Sequence, residues 1–147
     1  KCLPLNKAKL LHKASDASIA AGKAVTVLTY LHGVKEANMV IEEIQAEGMD
    51  VDVLEMRSLK PLDMETIRES LSRTHKVAIL DESTQSGGVG ATISAAISEQ
   101  AFDLLDAPVK RLCMDDAPVP YASSMEQAVV KRGADLVIAV KELVDYV

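Results

Sequence analysis

The sequence predicts a three-layer α/β domain, with a mostly parallel central sheet and helices on both of its faces. Short β-branched segments alternate along the chain with longer segments in which apolar residues recur at helical spacing. Strands that alternate with helices in this way form βαβ units, and right-handed crossovers place the helices on both faces of the sheet. The chain has 147 residues, of which 48% are hydrophobic and 26% charged, so a single domain can bury a core.

The regular pattern begins with residues 24–30 (AVTVLTY), a short β-branched run typical of a buried strand. Residues 34–47 place their apolar side chains on one helical face, and Gly48 is a suitable residue to end that helix. Residues 50–57 (DVDVLEMR) alternate in polarity and predict the second strand.

The stop at residues 60–62 (KPL) is followed by Asp63, whose carboxylate can cap a helix over residues 64–72. Residues 76–81 (KVAILD) predict a third strand, and residues 90–105 a helix with an apolar face. The remaining elements are a fourth strand at residues 107–112, a short helix at 125–131 and a terminal helix at 134–146.

Residues 1–23 are the least regular part of the chain and carry five lysines. We expect an initial strand or linker, then a loop rich in small residues over 14–22, with the positive charge on a solvated face. The first residue is Lys and not Met, so we also expect a processed, tagged or partial product.

The composition excludes several classes of protein. The net charge of −6 argues against a general nucleic-acid binder, and four aromatic residues are too few for a base-stacking platform. Two cysteines, Cys2 and Cys113, exclude a disulfide-rich scaffold and suggest a reducing compartment. No apolar run approaches the roughly 20 residues of a membrane span.

A glycine-rich loop between the third strand and its helix is the first candidate site. Gly87, Gly88 and Gly90 permit close backbone approach, and the start of the helix could hold an anion. The third glycine of a dinucleotide fingerprint is replaced by Ile93, so a phosphate or carboxylate contact and a structural turn or interface loop remain the alternatives.

Other polar residues follow the predicted strands at the edge where α/β folds bind ligands. Arg57 could meet an anionic ligand or pair with a neighbouring acid. Asp81 and Glu82 point to opposite sides of a strand and cannot form one acid–base pair, so we interpret them as capping and solvated groups. Cys113 is interpreted as a buried structural thiol, because no motif links a histidine to it. The residues alone therefore predict an α/β domain without catalytic, cofactor-binding or metal-ligating residues of its own.

Four segments in order resemble a known family. They are residues 25–30 (VTVLTY), 54–63 (LEMRSLKPLD), 74–90 (THKVAILDESTQSGGVG) and 105–122 (LDAPVKRLCMDDAPVPYA). Together they resemble the carboxy-terminal domain of the transketolase family, and within it the beta subunits of pyruvate dehydrogenase, the decarboxylating component. The resemblance covers roughly residue 4 to residue 147 and implies that residues 1–23 are a linker from an amino-terminal domain, with the family domain over 24–147.

This resemblance implies an alpha₂beta₂ heterotetramer that decarboxylates pyruvate on thiamine diphosphate with magnesium and then acetylates a lipoyl group of a multienzyme complex. The absent amino-terminal domain would help to bind the cofactor and would carry the catalytic residues. The carboxy-terminal domain would contact the alpha subunit and the second beta subunit and would dock the subunit-binding domain of the dihydrolipoyl acetyltransferase. The fragment alone is then expected to be inactive.

In this family the docking surface uses the aspartate of the L-D-A-P motif and the terminal carboxylate, which would be Asp106 and Val147 here. A carboxylate pair on an acidic domain suits a small basic partner, because it accepts charge-assisted hydrogen bonds. The alternative for Asp106 is a turn residue that caps the helix end before Pro108.

The sequence departs from the family pattern at residues 14–22, which lengthen the link to the first strand, and at residues 131–133 (KRG), which replace a less basic, proline-containing stretch. Tyr146 and Val147 also extend the tail slightly. The rival interpretations are the same domain of another 2-oxoacid dehydrogenase or of 1-deoxyxylulose phosphate synthase, and a free-standing module that binds a small anion. Plastid stroma, mitochondrial matrix and bacterial cytoplasm all fit, and the form THKVAILDES favours the plastid.

Overall fold

The computed structural model describes Pro4 and residues 6–146, and it confirms the predicted three-layer α/β architecture. Five strands form one sheet in the order β1-β3-β2-β4-β5: β1 (Lys9–His12), β2 (Ala24–Thr29), β3 (Asp50–Glu55), β4 (Val77–Thr84) and β5 (Lys110–Met114). Strands β2 to β5 are parallel, whereas β1 pairs antiparallel with β3, with Lys9 opposite Glu55.

Seven helices surround the sheet within residues 6–146, and a short 3₁₀ turn at Phe102–Leu104 follows the fifth. They are α1 (Asp16–Ala20), α2 (His32–Met39), α3 (Ile41–Ala46), α4 (Met64–Thr74), α5 (Val89–Gln100), α6 (Ser123–Val129) and α7 (Gly133–Val144). In the part of the chain that the structure describes, none of them has the length and apolar character needed to cross a bilayer.

The core lies in two layers, because alternate residues of each strand face opposite sides of the sheet. Helices α2, α3 and α7 cover one face, where Ile44 and Leu136 pack on Val27 and its neighbours. Helices α4 and α5 cover the other face, where Ile67, Ile93 and Ile97 pack on side chains that include Leu28 and Ile79. Burial of these aliphatic side chains provides most of the driving force for folding.

The structure corrects several predicted boundaries. The helix expected over residues 34–47 starts at His32 and breaks at Val40, the first of two consecutive β-branched residues, which lose side-chain freedom in a helix. Strand β5 starts at Lys110 instead of residue 107, because Pro108 lacks the N–H that a sheet ladder needs. The helix expected to reach residue 105 ends at Gln100 and gives way to the 3₁₀ turn.

The loop expected over residues 14–22 contains helix α1, which Ser15 caps by accepting a hydrogen bond from the backbone of Ser18. Two buried aspartates of β3 hold this segment from a distance. Asp52 accepts the N–H of Ala14 at 2.8 Å, and Asp50 accepts the N–H of Ser15 at 2.9 Å. These contacts join residues 35 to 38 positions apart, so the local sequence alone did not reveal them.

Candidate functional site

A groove of about 450 Å³ surrounds Asp106, in the turn that precedes β5. We call it the Asp106 groove, and it is lined by Ser94, Ser98, Phe102, residues 105–109 and Tyr146. Helix α5 supplies the two serines, the 3₁₀ turn supplies Phe102, and the end of α7 brings in Tyr146. Residues that are far apart in the sequence thus form one concave surface.

The side chain of Asp106 is exposed, while its backbone is fixed by a 2.8 Å hydrogen bond from its N–H to the carbonyl of His75. Within residues 6–146 its carboxylate takes part in no hydrogen bond or ion pair, so there it does not cap a helix end. A fixed backbone with an available carboxylate is a geometry that suits a charged donor from a partner.

Two aromatic side chains line the same groove as this carboxylate. Phe102 is 73% exposed and Tyr146 is 51% exposed, so both present apolar surface to solvent. An apolar surface next to one carboxylate resembles the anchor regions of protein interfaces, where aromatic residues are enriched. Tyr146 also brings the last described residue into the groove, whereas Val147 and Cys2 lie outside the described residues.

The glycine loop is organised by Asp81, which is 2% exposed at the end of the regular part of β4. Its carboxylate accepts hydrogen bonds from the hydroxyl of Tyr30, from the backbone and hydroxyl of Ser83, and from the N–H of Gly90 at 2.5 Å. Its neighbour Glu82 is exposed, so the two acids face different environments as predicted.

The amides at the start of α5 are therefore already paired within the chain. Besides Gly90, the N–H of Val89 donates to the Ser83 hydroxyl at 3.0 Å, and the N–H of Ser86 donates to Asp116 at 2.8 Å. A Cβ on Gly88 would lie 2.1 Å from the carbonyl oxygen of Thr84, so this position has no room for a side chain. This geometry supports the structural-turn interpretation of the loop over an anion contact.

The same cluster shifts three ionisation equilibria. Burial opposes ionisation of Asp81, but hydrogen bonds from Ser83, Tyr30 and Gly90 outweigh it and lower the pKa of that carboxyl. Burial and the hydrogen bond to Asp81 raise the pKa of Tyr30. Burial also raises the pKa of the Cys113 thiol, and the charge of Asp81 adds to this effect. A thiol with a raised pKa is a poor nucleophile at neutral pH, which fits a structural role.

Arg57 pairs with Glu55, with 3.2 Å between its Nε and the carboxylate oxygen. It lines a separate groove of about 530 Å³ together with Pro4, Tyr30, Leu31, Val34, Glu55, Met56 and Leu59. The glycine loop follows β4, which β2 separates from β3. The structure therefore does not bring Arg57 and the three glycines to one groove.

A third cluster of polar side chains surrounds His32, and the sequence pattern did not predict it. His32 lies 3.1 Å from Glu36 and 3.0 Å from Arg132, and Arg132 also contacts Glu126 at 3.2 Å. His32 and Arg132 are 100 positions apart, so only the fold joins them. Among the described residues, no group of three or more His, Cys, Asp or Glu side chains is placed to hold a metal ion.

Comparison with known proteins gives relatives for the whole described domain. The chain is 39% identical over 143 residues to the pyruvate dehydrogenase E1 component subunit beta of Porphyra purpurea, which covers 97% of this chain and 41% of that protein. It is 39% identical over 125 residues to the chloroplastic subunit beta-2 of Arabidopsis thaliana and 36% identical over 141 residues to the mitochondrial subunit beta of Dictyostelium discoideum. These matches cover 85% and 96% of this chain, and 31% and 37% of the two relatives.

A solved structure described as "Split gene transketolase, inactive beta4 tetramer" has the same fold, with a TM-score of 0.79 at 23% identity over 98% of this chain and 43% of that one. The chain thus spans about two fifths of the length of the first of these curated relatives. The family described as "Transketolase, C-terminal domain" matches residues 17–135, which is most of the sequence. The chain therefore belongs to the transketolase C-terminal domain family.

Proposed function

We propose that this chain is the assembly domain of a pyruvate dehydrogenase beta subunit, and that the Asp106 groove docks the subunit-binding domain of a dihydrolipoyl acetyltransferase. The observation that carries the proposal is the groove itself, because it combines an available carboxylate on a fixed backbone with exposed aromatic surface. The similarity to pyruvate dehydrogenase beta subunits over 97% of the chain supports the choice of complex.

In this proposal residues 1–23 lead from an amino-terminal domain to the assembly domain of residues 24–147, with β1 and the start of α1 packed on that domain through β3. Thiamine diphosphate and magnesium are held by the rest of an alpha₂beta₂ enzyme, in which this domain contacts the alpha subunit and the second beta subunit. The relatives include chloroplastic and mitochondrial proteins. We place the complex in one of these compartments or in a bacterial cytoplasm, with the plastid favoured by the sequence of residues 74–83.

The physical basis of docking is charge and shape together. The chain carries a net charge of −6, so its electrostatic field attracts a small basic partner at long range, before the two surfaces touch. At contact, a guanidinium or ammonium donor reaches Asp106, while apolar side chains cover Phe102 and Tyr146. Association should therefore slow as ionic strength rises, because salt screens the long-range part of this attraction.

Asp106→Ala is expected to weaken binding of the acetyltransferase subunit-binding domain by about 2 kcal/mol or more, the usual effect of removing one partner of a desolvated charge pair. Calorimetric titration of the chain with that domain measures the effect.

The matched control is Asp103→Ala. Asp103 has the same charge, has a 71% exposed side chain and pairs with Arg68 at 3.7 Å, but it does not line the groove. We expect its effect to stay within a few tenths of a kcal/mol. Equal affinities for the wild type and Asp106→Ala would rule out this docking site.

The chain mixed with the alpha subunit is expected to show no thiamine-dependent decarboxylation of pyruvate, because the proposal places the cofactor and the catalytic groups outside it. Release of carbon dioxide from labelled pyruvate is the measurement. A sustained thiamine-dependent rate would overturn the assignment of this chain as an assembly domain.

A further inference from the structure

The Nε2 atom of His32 faces a hydrogen-bond donor, Arg132, and a hydrogen-bond acceptor, Glu36, at the same time. His32 Nε2 lies 3.0 Å from a guanidinium nitrogen of Arg132 and 3.1 Å from a carboxylate oxygen of Glu36. The guanidinium can only donate, so it needs a free lone pair on Nε2, while the carboxylate can only accept and needs a proton there. One nitrogen cannot satisfy both neighbours at once. Nε2 without a proton accepts from Arg132, whereas Nε2 with a proton, which it always carries in the imidazolium, donates to Glu36.

We propose that His32 is a pH-sensitive latch for residues 115–132, which we call the strap. In the neutral tautomer that carries its proton on Nδ1, Nε2 of His32 accepts from Arg132 and holds the strap against α2. With protonated His32, Nε2–H donates to Glu36 and the like charge of the imidazolium repels Arg132. The strap then loses one of its attachments to α2.

The strap buries little surface and is held mainly by polar contacts, which include hydrogen bonds from Ser86 to Asp116 and the contacts of Arg132 with α2. None of residues 115–130 is buried, and α6 within it buries no residue. Its internal contacts include a 3.3 Å hydrogen bond from Asp115 to the carbonyl of Val129 and a 3.4 Å ion pair between Lys131 and Asp115. Segments with few buried contacts open at low free-energy cost.

A groove of about 440 Å³ lies where the strap meets the carboxyl ends of β4 and β5, and we call it the His32 groove. It is lined by His32, Glu82, Met114, Val119, Glu126, Val130 and Arg132. Met114 is only 6% exposed at present, and movement of the strap would uncover it. The latch thus controls access to apolar surface at the end of the sheet.

The charged groups around His32 come from every element packed against it. Glu36 lies on α2, Glu126 on α6, Glu82 at the end of β4, and Arg132 caps α7. Glu36 and Glu126 remain available to Arg132 in both states, so protonation loosens the strap and does not detach it completely.

Amide hydrogen exchange, corrected for the intrinsic rate at each pH, tests this latch. Imidazoles take up a proton between about pH 8 and pH 5, so the chain is compared near those two values. We expect protection of Asp115 and Val130 to fall by about three- to tenfold at the lower pH, the size expected for loss of a half-exposed polar contact. Protection of β4 serves as the internal reference and should not change.

Two variants distinguish the latch from a loss of protection at low pH that does not depend on His32. His32→Gln offers both a donor and an acceptor at every pH, so it should remove the pH dependence, and His32→Lys should show low protection even near pH 8. His32 is exposed at the first turn of α2, so both variants are expected to fold. A pH dependence that persists in His32→Gln, or full protection in His32→Lys, would disprove the latch.

Discussion

Replacing Asp81 with alanine is expected to lower the free energy of unfolding by about 3–5 kcal/mol. The substitution removes a buried acceptor and leaves the Tyr30 hydroxyl, the Ser83 amide and hydroxyl, and the Gly90 amide without their partner. A buried donor that loses its acceptor costs about 1–3 kcal/mol, and these four losses share one site and are not additive. Urea unfolding followed by circular dichroism measures the change.

Glu82→Gln is the matched control for Asp81. Glu82 is the next residue along the same strand and its side chain is exposed, so its replacement should change stability by less than about 0.5 kcal/mol. Asp81→Asn should lie between the two, because the amide keeps one acceptor but places an NH₂ group among donors. If Asp81→Ala unfolded at the same urea concentration as Glu82→Gln, the role assigned to Asp81 would be wrong.

The same site predicts how stability depends on pH. The pKa of Asp81 is lowered in the folded state, since hydrogen bonds from Ser83, Tyr30 and Gly90 outweigh the opposing effect of burial. The pKa of an aspartate in the unfolded chain is about 3.9, so the folded protein binds fewer protons than the unfolded chain over the pH range just below that value. This contribution to stability is present above about pH 4 and is lost as the pH falls through the lower, folded pKa. Asp50 and Asp63 also have lowered pKa values and act in the same direction.

Ile79→Ala is expected to destabilise the fold by about 3–5 kcal/mol, because it opens a cavity that the surrounding strands and helices can only partly close. Ile79 is fully buried on β4, between β2 and β5, and packs in the layer that α4 and α5 cover. Ile138→Ala is the control of identical chemistry. Ile138 lies on α7 with 60% exposure, and its replacement should cost less than about 0.5 kcal/mol in the same unfolding assay. Similar losses for both variants would contradict the two-layer core.

The elements that could be predicted from the sequence are those whose signal is local. Asp63 caps α4 by accepting the N–H of Thr66, as its position before an apolar helical face indicated. Gly48 has a φ of +77°, which fits the predicted helix end. The alternation of strands and helices also gave the architecture, because βαβ units leave few arrangements open.

The features that could not be predicted depend on contacts between distant segments. Helix α1 was predicted as a loop because its five residues are too few to show a helical repeat of apolar positions, and Asp50 and Asp52 hold the residues at its start from β3. The resemblance to a family indicated Asp106, but the exposed rings of Phe102 and Tyr146 in the same groove became visible only in the fold. The cluster of His32 and Arg132 joins residues 100 positions apart, so no periodic pattern in the sequence could predict it.

The antiparallel direction of β1 has a mechanical consequence for the whole domain. Lys9 pairs with Glu55 at the carboxyl ends of the parallel strands, and Pro4 lies beside the residues that follow β2 and β3. Asp106 lies at the other end, because its turn precedes β5 and its backbone contacts His75, just before β4. A strand of six residues spans about 20 Å, so Lys9 and Asp106 lie at opposite ends of the sheet. The buried, hydrogen-bonded sheet between them works as a rigid spacer that fixes the separation of these two ends.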